Sequence, residues 1–178
     1  MERTVDSRLI HEGRHFSFLQ DEVELPSGRR TKRDIVRHPG AVAIVPFLPD
    51  GRVILVRQYR YATGKSLLEI PAGTLEEGED PQECARRELI EETGYGATKL
   101  TALLSCYMAP GYSDEIIHFY EARGLREVGM SPEEDENIEA EAYELGEIFR
   151  MIDANLIEDA KTIIGIGCYK GDRGRGEA

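Results

Sequence analysis

The sequence predicts an α/β sandwich with a mixed central sheet, preceded by a small antiparallel β element. Three observations carry that expectation. Short β-patterned segments recur along the chain, one sharply bounded acidic helix interrupts them, and a second helical pattern closes the chain. At 178 residues the polypeptide can form one sizeable domain with its own core.

Residues 1–38 read as an antiparallel meander, with strands over residues 8–14 and 16–25, a Pro26-Ser27-Gly28 turn, and a return over 29–38. Its apolar content is too low for independent folding, so it is expected to pack on the main domain or on a partner subunit. The main domain is expected over residues 39–170. A strand at 41–48 (AVAIVPFL) leads through Pro49-Asp50-Gly51 into 52–60 (RVILVRQYR), a hairpin signal. A short strand at 66–70 enters Pro71-Ala72-Gly73 and the acidic helix. Strands follow at 100–108 and 116–122, then a polar acidic loop at 129–137, a strand at 139–144 and a helix over 157–169. Residues 171–178 (GDRGRGEA) read as a frayed tail.

Composition narrows the partners. A formal net charge of −12 argues against a general nucleic-acid-binding surface. Cys84, Cys106 and Cys168 are widely spaced and lack a paired metal-ligand pattern, so they read as buried thiols in a reducing compartment. No stretch has the apolar length of a signal peptide or a membrane span, and the expected location is the cytoplasm.

The acidic helix is the most informative segment. Asp80 is placed to act as N-cap, Pro81 as first helical residue, Glu83 as the other half of a capping box, and Gly94 as a left-handed terminator. Glu88, Glu91 and Glu92 fall within about one turn and share a face. Glu88 and Glu92 lie between Cys84 and Ala85, on the side expected to turn inward, while Glu83 and Ile90 lie opposite. Like charges at this spacing repel, so a counter-charge is required. A divalent cation with oxygen ligands is the simplest one. From the carboxylates alone, a solvated acidic helix is the competing reading.

The complete pattern decides between them. Gly73, five residues, Glu79, seven residues, Arg87-Glu88-Leu89, one residue, Glu91-Glu92, one residue and Gly94-Tyr95 match every fixed position of the Nudix box. A chance match somewhere in the chain is on the order of 10⁻⁵. The chain thus resembles the Nudix hydrolases, which cleave a nucleoside diphosphate linked to another moiety. The resemblance implies a Nudix-type α/β/α sandwich and magnesium as cofactor, with manganese as a possible substitute. It implies that Glu88, Glu92 and the Ala72 carbonyl hold metal, that Glu91 is the remaining box carboxylate of the catalytic site, and that Arg87 orients carboxylates including Glu79. Splitting a pyrophosphate requires neutralised oxygens and an activated water placed in line with the bond, which metal ions can supply.

Features outside the box resemble the ADP-ribose pyrophosphatase subgroup. Pro110 lies 15 residues after Tyr95 in an Ala-Pro-Gly sequence, Arg57-Gln58-Tyr59-Arg60 is similar to a Q-x-R strand, and Leu68-Glu69-Ile70-Pro71 to the approach to the box. The loop Pro132-Glu133-Glu134-Asp135-Glu136 is similar to one that carries the general base, which places Glu134 as base, with Glu133 as the alternative, and Glu136 as a further metal ligand. By the same resemblance Arg60 pairs with a substrate phosphate, Arg33 reaches across a homodimer, and Glu115 lies near the terminal ribose or the attacking water. The N-terminal meander has the place of the subgroup's dimerisation element. Phe16 or His15 is expected to stack on the base, with Phe18 and Tyr61 as alternatives. The expected activity is hydrolysis of ADP-ribose to AMP and ribose 5-phosphate. The alternatives are GDP-mannose, another nucleotide sugar or a dinucleotide as substrate, and, in another class, a catalytically silent module that binds a nucleotide metabolite.

Overall fold

The computed structural model describes residues 1–129 and 138–172. Its organising element is β4 (Ala41–Pro46), whose six residues are all buried. Small and β-branched side chains on both faces suit a strand covered on both sides. Ala41, Ala43 and Val45 point into one core with Leu55, Leu68, Ile70, Phe119, Ile148, Phe149, Ile157 and Ile166. Val42 and Ile44 point into a second core with Cys84, Ala85, Leu89, Tyr120, Ala122 and Leu125. One strand therefore divides two apolar layers, and helices cover both.

The sheet around it is mixed. β4 runs antiparallel to β7 (Ala72–Thr74) and parallel to β9 (Ile116–Glu127), and β8 (Tyr95–Tyr107) pairs antiparallel with β9 at the edge. A second sheet holds β10 (Ile138–Tyr143), β5 (Val53–Arg60) and β6 (Lys65–Glu69) in that order. The expected hairpin between residues 41 and 60 is corrected here. The turn forms, with Leu48 N–H donating to Arg52 O at 2.8 Å, but only the Phe47–Val53 bridge joins the two strands. With β7 and β9 on its two edges, β4 has no edge left, so β5 leaves for the other sheet.

α1 (Pro81–Thr93) matches its expected boundaries. Asp80 accepts from the N–H groups of Gln82 and Glu83, and Gly94 ends the helix at φ 75°. Only half of the capping box forms, because the Glu83 carboxylate turns to Arg86 Nε at 3.6 Å. α2 (Leu145–Asp153) was not anticipated. It is nine residues long and its N-cap, Glu144, makes no side-chain cap bond, so the usual start signal is missing. It forms because Ile148 and Phe149 bury against the core. α3 (Ala160–Gly167) is shorter than expected, starting where Asp159 accepts from Thr162 N–H at 2.9 Å. Among the described residues no helix is long and apolar enough to cross a membrane.

The N-terminal element is a three-stranded antiparallel sheet of β1 (Arg3–Glu12), β2 (Ser17–Glu24) and β3 (Arg30–Arg37), with β1 starting earlier than expected. Every residue of β1 is exposed. The sheet joins the body at its base. Val36 N–H donates to Tyr112 O at 2.8 Å, and Asp114 accepts from Arg37 Nη1 and His38 N–H, each at 2.9 Å.

Candidate active site

α1 packs its Cys84-Ala85-Leu89 face into the second core, and that register brings the box carboxylates to the loop at β7. Glu92 is 3% exposed, and one oxygen accepts from the Ala72 amide at 3.0 Å. Glu88 lies so close to Gly73 that a Cβ built there would fall 1.8 Å from the Glu88 Cδ. Glycine at 73 is thus the condition for Glu88 to sit where it does. The Ala72 backbone, Glu88, Glu91 and Glu92 line one cleft of about 1010 Å³ with Gln58, Arg60 and Tyr61.

Arg87 holds the carboxylates together. Its Nη1 donates to Glu88 at 2.6 Å and to Glu91 at 3.0 Å, while Nε and Nη2 form a fork to Glu79 at 3.1 and 3.0 Å. The Arg87 fork draws the Glu79 carboxyl down to about 2, against the opposing effect of its partial burial. Burial, with the Glu79 carboxylate beside it, pushes the Cys84 thiol up to about 12, so this sulfur is a packing atom and not a nucleophile.

The donor set suits a hard cation. The cleft lining carries Glu76, Glu77, Glu88, Glu91 and Glu92 against Arg14, Arg60 and Arg87, so its formal charge stays negative. Among the described residues no three His, Cys, Asp or Glu side chains close up as a finished metal cage. Magnesium does not need one, because it keeps several waters and takes one or two carboxylates plus substrate oxygens. Gly73 supplies the close backbone approach, and every side chain offered is an oxygen donor.

In the same cleft Arg60 forms a fork to Glu69, Nε at 2.9 Å and Nη2 at 2.8 Å. Glu69 is 1% exposed and also accepts from Lys161. Burial opposes its ionisation, but Arg60 and Lys161 together outweigh that and the carboxyl stays below its ordinary range. Neither Glu69 nor Lys161 was singled out from the sequence. The available signal was a lone carboxylate inside the apolar run Leu67-Leu68-Glu69-Ile70.

The other expected residues divide. Ala72, Glu88, Glu91, Glu92 and Arg60 share the cleft. So does His15, from the turn after β1, together with Arg14. Tyr61 is on the rim and 90% exposed, whereas Phe16 lines a neighbouring hollow of about 540 Å³ that His15 also touches. Phe18 lies within β2, opposite His11, away from the cleft. Arg33 is remote as well, held by Glu2 at 2.7 Å on the N-terminal sheet. Glu115 is outside the cleft lining, in the loop whose Ser113 accepts its N–H at 3.1 Å. Glu133, Glu134 and Glu136 lie outside the described residues.

Residues 37–163 match the family model of the NUDIX domain. A methanol dehydrogenase activator from Bacillus methanolicus is 44% identical over 167 residues, spanning 93% of this chain and 90% of the relative. An ADP-ribose pyrophosphatase from Bacillus subtilis is 40% identical over the same length, with the same two coverages. A GDP-mannose pyrophosphatase from Yersinia enterocolitica is 38% identical over 137 residues, 72% of this chain and 71% of the relative. The crystal structure of an ADP compounds hydrolase superposes with a TM-score of 0.85 at 24% identity, covering 99% of this chain and 97% of that one, and shows the same fold.

Two outcomes follow from this geometry. Gly73→Ala should expel Glu88 and weaken Mn²⁺ binding by roughly tenfold or more, read by titration calorimetry, with little change in melting temperature. Unchanged affinity would contradict the close approach. The second concerns acid. A carboxyl held down in the folded state contributes stability above its unfolded value and loses it as pH falls through the folded one. The Glu79 contribution is therefore complete above about pH 4.5 and fades towards about pH 2. Glu79→Gln should flatten that part of the acid limb in urea midpoints measured across pH.

Proposed function

The chain belongs to the Nudix family of hydrolases, and from that premise we propose that it splits the pyrophosphate of ADP-ribose, with magnesium as its metal and manganese as a possible substitute. Water adds to one phosphorus, the bridging P–O bond breaks, and AMP and ribose 5-phosphate leave. The observation that carries this reading is the convergence of Glu88, Glu91, Glu92 and Arg60 on a single cleft. ADP-ribose pyrophosphatases at 39–40% identity over most of the chain support the choice of substrate.

Each residue has a task in this reading. Glu88, Glu92 and the Ala72 carbonyl hold magnesium, which when bound neutralises pyrophosphate oxygens and lowers the pKa of water. The Ala72 amide and Arg87 keep Glu92 and Glu88 aimed into the cleft. Glu91 serves the same cluster as its third carboxylate. Arg60 holds a phosphate within the same cleft. Glu134 accepts the proton of the attacking water, Glu136 adds a metal ligand, and Glu115 stands near the terminal ribose. The nucleobase stacks on Phe16 or His15, which line the hollow beside the cleft, with Tyr61 as the alternative.

The N-terminal sheet supplies the dimer. A three-stranded sheet with one strand wholly exposed is marginal alone. Pairing through this sheet with a second copy covers it and brings Arg33 to the partner's cleft. We assign the chain to a reducing cytoplasm; its three cysteines are free thiols, of which Cys84 is buried as expected while Cys106 is half-buried and Cys168, at the end of α3, is exposed. A second substrate reading, GDP-mannose, is favoured by the relatives of that name at 34–38% identity. A regulatory binding role is favoured by the relative named as a dehydrogenase activator.

Rates with magnesium on ADP-ribose and GDP-mannose separate these readings, with ADP-ribose expected to have the higher kcat/KM. A tenfold or greater preference for GDP-mannose would overturn the first choice. Glu92→Gln should remove most turnover and leave the fold intact. A wild-type protein that binds ADP-ribose without hydrolysing it would favour the regulatory role. Deleting residues 1–38 should convert a dimer to a monomer by sedimentation and weaken substrate binding; a truncated protein that stays dimeric would assign the contact elsewhere.

A further inference from the structure

Arg60 is half committed. Its Nε and Nη2 form a fork to the two oxygens of Glu69, which accounts for one edge of the guanidinium. Arginine carries five N–H donors, so one hydrogen on Nη2 and two on Nη1 remain, arranged as a second fork along the adjacent edge. The side chain is 38% exposed, and that exposed part belongs to the cleft wall. Arg60 lines the same cleft as Glu88, Glu91 and Glu92, and the Glu92 charge acts on it.

Glu69 is itself fastened. In the β5–β6 register Val56 faces Glu69, Gln58 faces Leu67 and Arg60 faces Lys65. These residues project from one side of the hairpin, and the Arg60 side chain runs back along it to the carboxylate. From the other direction Lys161, in the first turn of α3, reaches the oxygen of Glu69 that Arg60 Nη2 uses, and also pairs with Asp159 at 3.0 Å. Both cations converge on a carboxylate that is 1% exposed, which removes its freedom to rotate.

We propose that Glu69, fastened by Lys161, is a positioning residue that occupies one edge of Arg60 and presets the other edge as a fork for a phosphate of the nucleoside diphosphate. This rests on the pyrophosphatase reading above. Holding a long side chain in its bound rotamer beforehand removes an ordering cost from substrate binding. A pair serving only to join β6 to α3 would have no reason to leave an arginine edge in the cleft.

The test uses the full-length protein with ADP-ribose as substrate and inorganic pyrophosphate as a competing probe. Glu69→Gln should raise KM and the pyrophosphate inhibition constant together by roughly tenfold, with kcat within about twofold. Arg60→Lys, which keeps the charge and loses the fork, should do the same. The double variant should be no worse than the weaker single one, because Glu69 acts through Arg60. A folded Glu69→Gln protein with unchanged KM and inhibition constant would overturn the proposal, as would effects that multiply in the double variant. Should Glu69→Gln fail to fold, Lys161→Met takes its place: a raised KM restored by Lys161→Arg supports the fastening, and an unchanged KM overturns it. Failure of the substrate reading is distinct. A wild type that does not hydrolyse ADP-ribose but binds pyrophosphate, more weakly after Glu69→Gln, would lose the substrate and keep the clamp.

Discussion

Repulsion among carboxylates is the constraint that the cleft is built around. Glu88, Glu91 and Glu92 share one face of a helix, and Glu79 joins them from the preceding loop. In water such a group would spread; here Glu92 is nearly sealed from solvent and Glu88 is held against backbone. The single guanidinium of Arg87 contacts three of the four carboxylates, and the Ala72 amide serves the fourth. This arrangement holds the geometry while leaving the cluster short of positive charge. A site meant only to be stable would have closed that deficit with lysine or arginine. In the proposed function, that deficit is what a divalent cation would fill.

The fold supplies the rigidity that such an arrangement needs. β4 is buried on both faces, so it cannot shift without disturbing both apolar cores. β7 hydrogen-bonds to it over Ala41–Ala43, which fixes Ala72 and Gly73. α1 is pressed onto the same strand through Cys84, Ala85 and Leu89. The backbone that touches Glu88 and Glu92 and the helix that carries them are thus referred to a common strand. The placement of the carboxylates thus depends on the apolar packing of α1 and β7 against β4.

The sequence was most legible where function and local structure use the same residues. The α1 caps, the inward carboxylates and the Arg87 pairing could all be anticipated, since helical spacing and a local motif determine them. Legibility failed where long-range partners decide. The turn at Pro49-Asp50-Gly51 is an honest hairpin signal, but the edges of β4 were already taken by β7 and β9, which lie far along the chain. α2 lacks a capping side chain and exists because Ile148 and Phe149 find the core. Glu69 and Lys161 are 92 residues apart, and no periodicity links them. Arg33 and Phe16 were assigned by resemblance to a cleft that one copy of the chain does not complete with them.

The two arginines of the cleft show how one residue type can serve opposite ends. Arg87 gives both its edges to carboxylates of its own chain, so its charge is spent internally and it acts as scaffold. Arg60 gives one edge to a carboxylate that Lys161 already shares, and its charge is correspondingly less quenched. The chain carries a net charge of −12, so an incoming pyrophosphate is repelled by the protein's overall charge. Under the proposed function, the box carboxylates with a bound cation and the half-occupied guanidinium of Arg60, lining one cleft, would give a diphosphate a complementary target only when cation and diphosphate are both present. Selectivity for a metal-bound diphosphate over a bare anion then arises from charge placement, before any contact to the base or sugar is made.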